Sequence, residues 1–244
     1  MLLPSVTFCV SVYNKAYALP RTLPNILQVA RASQELLFYD DASTDASVEI
    51  LTQTVGSLGR ILRGEINGGH AYAVNRLVEA AQSEVVVFQD ADDLSHIQRI
   101  PLMLDALLHT RRAWVLCRKA PLSRMSATAC SNPLPGRVPL RPWHGTMCGL
   151  MCWRTAFIPW IEELRQYEEV LGRWDMIYRY GLPPVLRPPL YWYDDSVGPY
   201  HLGAARHGEI RATYLRRARE LARLQDVRLG PRCLDWSPPK GNFL

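Results

Sequence analysis

Short apolar runs alternate with stretches of helical spacing through the first hundred residues. Val6–Val12 (VTFCVSV) is rich in β-branched residues and predicts a buried strand. In Leu19–Ala30 the apolar positions Leu19, Leu23, Ile26, Leu27 and Ala30 fall at helical spacing. A second strand is expected over 36–39 (LLFY), ending at Asp40 and Asp41. Ser43 and Asp45 are candidate N-caps for a helix over 47–54. Arg60–Arg63 reads as a weaker third strand and Asn67-Gly68-Gly69 as a turn. A helix over 71–82 and a fourth strand over 85–88 (VVVF) follow. Strands and helices alternating at this pace predict an α/β fold, a mostly parallel central sheet flanked by helices.

The pattern then loosens. A helix is expected over 100–109, a strand over 113–117, and helices over 157–167 and 174–180. Residues 119–143 hold Pro, Ser, Asn and Gly in a long irregular stretch of the kind that often carries function. The segment LPPVLRPPLYWY has four prolines and reads as extended. Helical spacing returns over 205–226 with many charged positions, before the tail DWSPPKGNFL. The expected organisation is one domain over 1–204, with halves 1–95 and 96–204, followed by a basic helix and tail over 205–244.

This pattern gives the polar residues a place. Tyr13 and Asn14 follow the first strand, Asp40 and Asp41 the second, and Asp90, Asp92 and Asp93 the fourth. All fall past the carboxyl ends of strands, the edge where open parallel sheets bind ligands. Three carboxylates in D-A-D-D repel one another. A hard cation, Mn²⁺ or Mg²⁺, would offset that repulsion, since such ions take one or two carboxylates together with substrate phosphates. Standing alone, the same residues would read as a solvated turn in which Asp93 or Ser95 caps the next helix.

Bulk composition narrows the classes. The chain has 244 residues, 48% of them apolar, enough for a substantial core. Its net charge of +5, carried on the positive side almost wholly by arginine, is compatible with a nucleoside diphosphate, a phosphorylated lipid surface or nucleic acid and does not choose among them. Acids cluster at the expected site and no recognition motif appears, which disfavours nucleic acid. Six cysteines in apolar contexts read as reduced, buried thiols. His144, Cys148 and Cys152 lack a fourth ligand for a zinc site. The start, MLLPSVTFCVSVYN, has no basic n-region, and no run of 18 apolar residues occurs, so the expected location is cytoplasmic.

The pieces VTFCVSVYN, FYDDASTDAS, INGGHAYAVNRLVEAA and VVVFQDADD together resemble family 2 glycosyltransferases. The shared positions are Tyr13 and Asn14; Asp40, Asp41, Ser43, Thr44 and Asp45; Asn67, Gly68, Asn75 and Arg76; and Asp90, Asp92 and Asp93. The resemblance implies the GT-A fold, a Rossmann-like nucleotide-binding half joined to an acceptor half. It implies a nucleotide-diphospho-sugar donor contacted by Tyr13, Asn14, Asp40, Asp41, Asn75 and Asp90, and a Mn²⁺ or Mg²⁺ ion on Asp90 and Asp92. His201 is a further candidate ligand. The implied activity is inverting transfer to a hydroxyl of a glycan or glycolipid, in cell-surface polysaccharide synthesis, with peripheral contact at the inner face of the membrane. The basic Arg206–Arg228 segment would make that contact, although a solvated, Arg-rich face is the plainer reading.

One part of the family pattern departs. The late motif Glu-Asp-x-Asp-Leu-x-x-Arg-Leu supplies the general base, and here it reads GRWDMIYRY. Trp174, Asp175 and Arg179 match, but Gly172-Arg173 stands where Glu-Asp is expected. Asp175 is the first candidate base, and Glu168 or Glu169, one turn upstream, is the alternative. Asp175 could equally be a helix-surface acid paired with Arg179. Trp143 and His144 fall where the family places its acceptor wall. The rival from another class is a non-catalytic sugar-nucleotide-binding or scaffold protein with a degenerate base motif. A nucleotidyltransferase is disfavoured, because YNKAYALPRTLPN is not glycine-rich.

Overall fold

The computed structural model describes residues 2–142, 148–163 and 168–196. Its strands and helices run β1 (Val6–Val12), α1 (Leu19–Ala30), β2 (Glu35–Asp40), α2 (Ser47–Val55), β3 (Arg60–Arg63), α3 (His70–Ala80) and β4 (Val85–Asp90). Then come β5 (Leu94–Ser95), α4 (Arg99–Thr110), β6 (Trp114–Pro121), β7 (Leu140–Pro142), β8 (Cys148–Trp153), α5 (Glu168–Tyr180) and β9 (Pro184–Tyr193). One sheet holds the strands in the order β3-β2-β1-β4-β8-β6-β9-β5, with β7 on β9. Strands β3, β2, β1 and β4 are mutually parallel. The expected parallel sheet is thus its first half. In the second half β8 runs antiparallel between β4 and β6, while β9 returns parallel to β6.

Strand β1 is apolar because it is buried on both faces: six of its seven residues are buried. It has β2 on one side and β4 on the other, so the strand order reverses there. Right-handed crossovers to opposite sides put α1 and α2 on one face and α3 on the other. Accordingly α1 packs on α2, and α3 packs on β1 and β2. Val12 pairs with Asp40 and Ser11 with Asp90, so the acid-bearing ends of β2 and β4 flank the end of β1. This is the crevice where such sheets take ligands. Cys9, Cys117 and Cys152 are buried free thiols within the core.

The helix expected over 157–167 does not form in its described part. Arg154–Ala156 makes a single 3₁₀ turn, residues 157–161 have no regular structure, and 162–163 are a turn. Pro159 removes a helical donor there. The apolar residues that suggested a helix instead form an aromatic cluster: Phe157 and Trp160 lie 5.6 and 6.2 Å from Phe88 between ring centroids. The basic 205–244 segment lies outside the described residues, as do Trp143, His144 and His201. Among the described residues no helix is long and apolar enough to cross a membrane.

Candidate active site

Two loops at the carboxyl edge of the sheet brace one another. Asn14, just past β1, sits in the left-handed region at φ 51°, which asparagine tolerates. Its Oδ1 accepts the Thr44 N–H at 2.8 Å, and its own N–H donates to Ser43 Oγ at 2.9 Å. The Lys15 N–H donates to Ser47 Oγ and the Ala16 N–H to Asp45 Oδ2, at 2.8 and 3.0 Å. Asp40 is fully buried, accepts the Ser43 N–H at 3.1 Å and pairs with Arg63 at 3.5 Å. Asp41 accepts the Gly68 and Gly69 N–H groups at 2.8 and 2.7 Å. Gly69 has φ 92°, a conformation glycine adopts without strain. The motif residues therefore shape the rim of the crevice. Tyr13 lies half-buried beside them.

Asn75 is buried in α3 and pins the opposite wall. Its amide donates to the Trp160 carbonyl and to Glu162 at 2.9 Å each, and its Oδ1 accepts the Trp160 N–H at 2.9 Å. The 160–162 segment is held in the shape of the crevice rather than in a helix.

The acid cluster is neutralised by the chain itself. Lys15 pairs with Asp92, which also accepts from the Tyr17 hydroxyl at 3.3 Å. Asp90 is met by His70 Nε2 at 3.3 Å on one oxygen. Its other oxygen faces Lys119 Nζ at 3.6 Å and accepts from the Tyr191 hydroxyl at 3.1 Å. Burial opposes charge on Asp90, but Lys119, His70 and Tyr191 outweigh it and hold the carboxyl well below the usual range. Asp93 behaves in the opposite way. Burial and the neighbouring Asp90 push its carboxyl well above the usual range. Its Oδ1 accepts the Asp194 N–H at 2.7 Å.

Side chains engage both carboxylates expected to hold a metal, and His201, the third expected ligand, lies outside the described residues. Both Asp90 oxygens and one Asp92 oxygen already face a cation or a hydroxyl. Among the described residues no three His, Cys, Asp or Glu side chains converge to hold an ion. The repulsion that called for a metal is offset by Lys15, Lys119 and His70, none of which the D-A-D-D pattern announces.

Asp90 lines a small cleft of about 30 Å³ that opens to solvent. Ser11, His70, Lys119, Trp160, Glu169 and Arg173 also line it. Of the two candidate bases, Glu169 is on this lining and Asp175 is not. Glu169 accepts a hydrogen bond from Arg173 at 2.9 Å, one helical turn later. Burial raises its pKa, but Arg173 and Lys119 more than reverse that, so it is lowered and the carboxylate is ionised at neutral pH. Asp175 is half-buried, and desolvation raises its pKa against the influence of Arg179. Gly172 lies beneath the Trp160 ring and Arg173 is buried beside Glu169. The side chain of Glu168 lies outside the described residues.

A parallel first half, a second half carrying an inserted antiparallel strand, and an acid-lined cleft at the switch point define a GT-A-type fold. Residues 7–128 match the profile of the family described as glycosyl transferase family 2, and the chain belongs to that family. The putative glycosyltransferase EpsE of Bacillus subtilis is 28% identical over 100 residues, 40% of this chain and 36% of that protein. The dodecaprenyl-phosphate galacturonate synthase of Rhizobium johnstonii is 27% identical over 148 residues, 57% of this chain and 44% of that protein. The chain thus spans less than half the length of these relatives. Among solved structures, S. aureus TarS 1-349 in complex with UDP-GlcNAc superposes with a TM-score of 0.63 at 16% identity, covering 80% of this chain and 59% of that one. The Pyrobaculum calidifontis mannosyltransferase PcManGT, in complex with GDP-Man and Mn²⁺, superposes at 0.61 with 22% identity, covering 82% and 59%.

Proposed function

We propose that this chain transfers a sugar, with inversion, from a nucleotide-diphospho-sugar to a hydroxyl of a glycan or glycolipid, in the synthesis of a polysaccharide. The observation that carries this reading is the meeting of Asp90 and Glu169 in one cleft at the strand-order switch point. Two structural neighbours are in complex with UDP-GlcNAc and GDP-Man, which supports a nucleotide-sugar donor. A relative named for dodecaprenyl-phosphate galacturonate synthesis supports a lipid-linked or surface glycan acceptor.

In this mechanism Asp41, Asn14 and Tyr13 border the nucleoside, with Asp40 holding the loop behind them. Asp90 and the cations beside it face the diphosphate. The acceptor hydroxyl attacks the anomeric carbon on the face opposite the diphosphate. The new C–O bond forms as the bond to the diphosphate breaks, and the bonding pair leaves with the nucleoside diphosphate. Glu169 takes the hydroxyl proton, a general-base role open to an ionised carboxylate on the cleft wall. A divalent cation on these acids would share Asp90 with Lys119 and His70 and Asp92 with Lys15, and no step here is routed through one.

Arg173, standing where the family carries its base, favours a second reading, a sugar-nucleotide-binding protein without turnover. Calorimetric titration with UDP- and GDP-sugars, followed by assay of released nucleoside diphosphate, separates the two. Binding with release supports transfer, and binding without release in the presence of acceptor supports the second reading. A folded protein that binds none of these donors contradicts both.

A further inference from the structure

The chain contains three lysines, Lys15, Lys119 and Lys240, in a basic complement otherwise made of arginine. Two of the three are paired with the two acids of the D-x-D, Lys15 with Asp92 and Lys119 with Asp90. An ammonium is a compact point charge with three donors, closer in kind to a small cation than a planar guanidinium is.

The backbone aims Lys119 there. The pairing of β6 with β9 slips between Cys117 and Arg118 and again between Arg118 and Lys119. The slip lies opposite Pro188 and Pro189, which lack N–H groups for a regular ladder. Irregularities of this kind re-aim side chains beside active sites. Lys119 Nζ ends 4.3 Å from the centroid of the Tyr191 ring, and its side chain is 7% exposed. The Tyr191 hydroxyl donates to the same Asp90 carboxylate that faces the ammonium. Arg99 packs on Tyr191 as well, at 4.6 Å, fixing that ring.

The charges on the cleft lining also balance. Asp90 and Glu169 are matched by Lys119 and Arg173, with His70 beside them. Asp92 is matched by Lys15. A site made ready for a divalent cation would leave the D-x-D carboxylates without a cationic partner, and here each already has a lysine.

We propose that Lys119 and Lys15 meet the donor's diphosphate in the place of a divalent metal ion. Each ammonium keeps one donor on its aspartate and turns another to a phosphate oxygen. Asp90 and Asp92 then serve to position the two lysines. This rests on the nucleotide-sugar reading above and names what neutralises the diphosphate within it.

The test titrates the full chain with UDP, GDP, ADP, CDP and dTDP, each in EDTA and again in Mn²⁺. The expected result is one nucleotide whose Kd changes less than about threefold between the two conditions. Lys119→Met weakens that nucleotide in EDTA by about tenfold or more, Lys119→Arg recovers part of the loss, and binding of the bare nucleoside is unchanged. Lys15→Met, at a partly exposed position that a folded variant tolerates, gives the same pattern and guards against misfolding of the Lys119 variant. Binding that appears only with Mn²⁺ overturns the lysine role while upholding the donor reading. Lysine variants that bind in EDTA as tightly as the wild type overturn it too. Absence of nucleotide binding in both conditions overturns the donor reading itself.

Discussion

Gly172 lies so close to Trp160 that a Cβ on it would meet the indole Cδ1 at 2.2 Å and Nε1 at 2.3 Å. A side chain at 172 and an indole at 160 exclude one another. Gly172→Ala is therefore expected to lose about 1–3 kcal/mol of stability through overpacking. The double variant Gly172→Ala/Trp160→Leu should recover part of that loss, because the clash is shared. Thermal unfolding of the four members of this cycle reads the coupling. Equal losses with and without Trp160 would show that the contact is not the cause.

Asn75 makes three hydrogen bonds that hold the 160–162 segment against α3. Asn75→Ala leaves the buried Trp160 N–H and carbonyl without their partner. A cost of about 1–3 kcal/mol is expected, together with weaker donor binding as the cleft wall loosens. Denaturant unfolding and donor titration on the same sample test this. An unchanged midpoint would mean that the segment is held by its aromatic packing alone.

The Glu169–Arg173 pair sets a pH limit. Arg173 and Lys119 hold the Glu169 carboxyl below its ordinary value in spite of burial. Lowering the folded-state pKa means that this group's contribution to stability is present above the unfolded carboxyl's pKa. It is lost as pH falls through the folded value. A base with a depressed pKa also keeps its acidic activity limb at low pH. Arg173→Gln should move the acidic limb of kcat/KM upward, toward that of an ordinary glutamate. A limb that stays in place in that variant would show that another group sets it.

Much of this arrangement was legible in the chain. Strands β1, β2 and β4 are short apolar runs set between helices of clear period, β3 is a weaker signal, and the acids fall where the runs of β2 and β4 stop. Asn14, Asp40, Asp41 and Asn75 were recognisable as special, but their contacts with Ser43, Gly68 and Trp160 were not. A hydrogen bond between residues 85 positions apart, such as Asn75 to Trp160, leaves no local periodic trace. Residues 157–161 misled because an aromatic cluster and an amphipathic helix place apolar residues similarly. The pairing of Asp90 with Lys119 depends on a slipped strand register, which periodicity does not reveal. The scarcity of lysine was the one available hint. Glu169 could be weighed against Asp175 in the sequence, but only the packing of α5 brings one of them to the cleft.

The most direct measurement is turnover of the donor, followed by release of nucleoside diphosphate, in Glu169→Gln and Asp175→Asn side by side with the wild type. With Glu169 as base, its amide variant should bind donor as the wild type does and lose about 10²–10⁴-fold in kcat. The Asp175 variant should stay within about threefold of the wild type, as expected for a helix acid beside Arg179. The reverse order, with Asp175→Asn inactive and Glu169→Gln active, would contradict the placement of the reaction in this cleft.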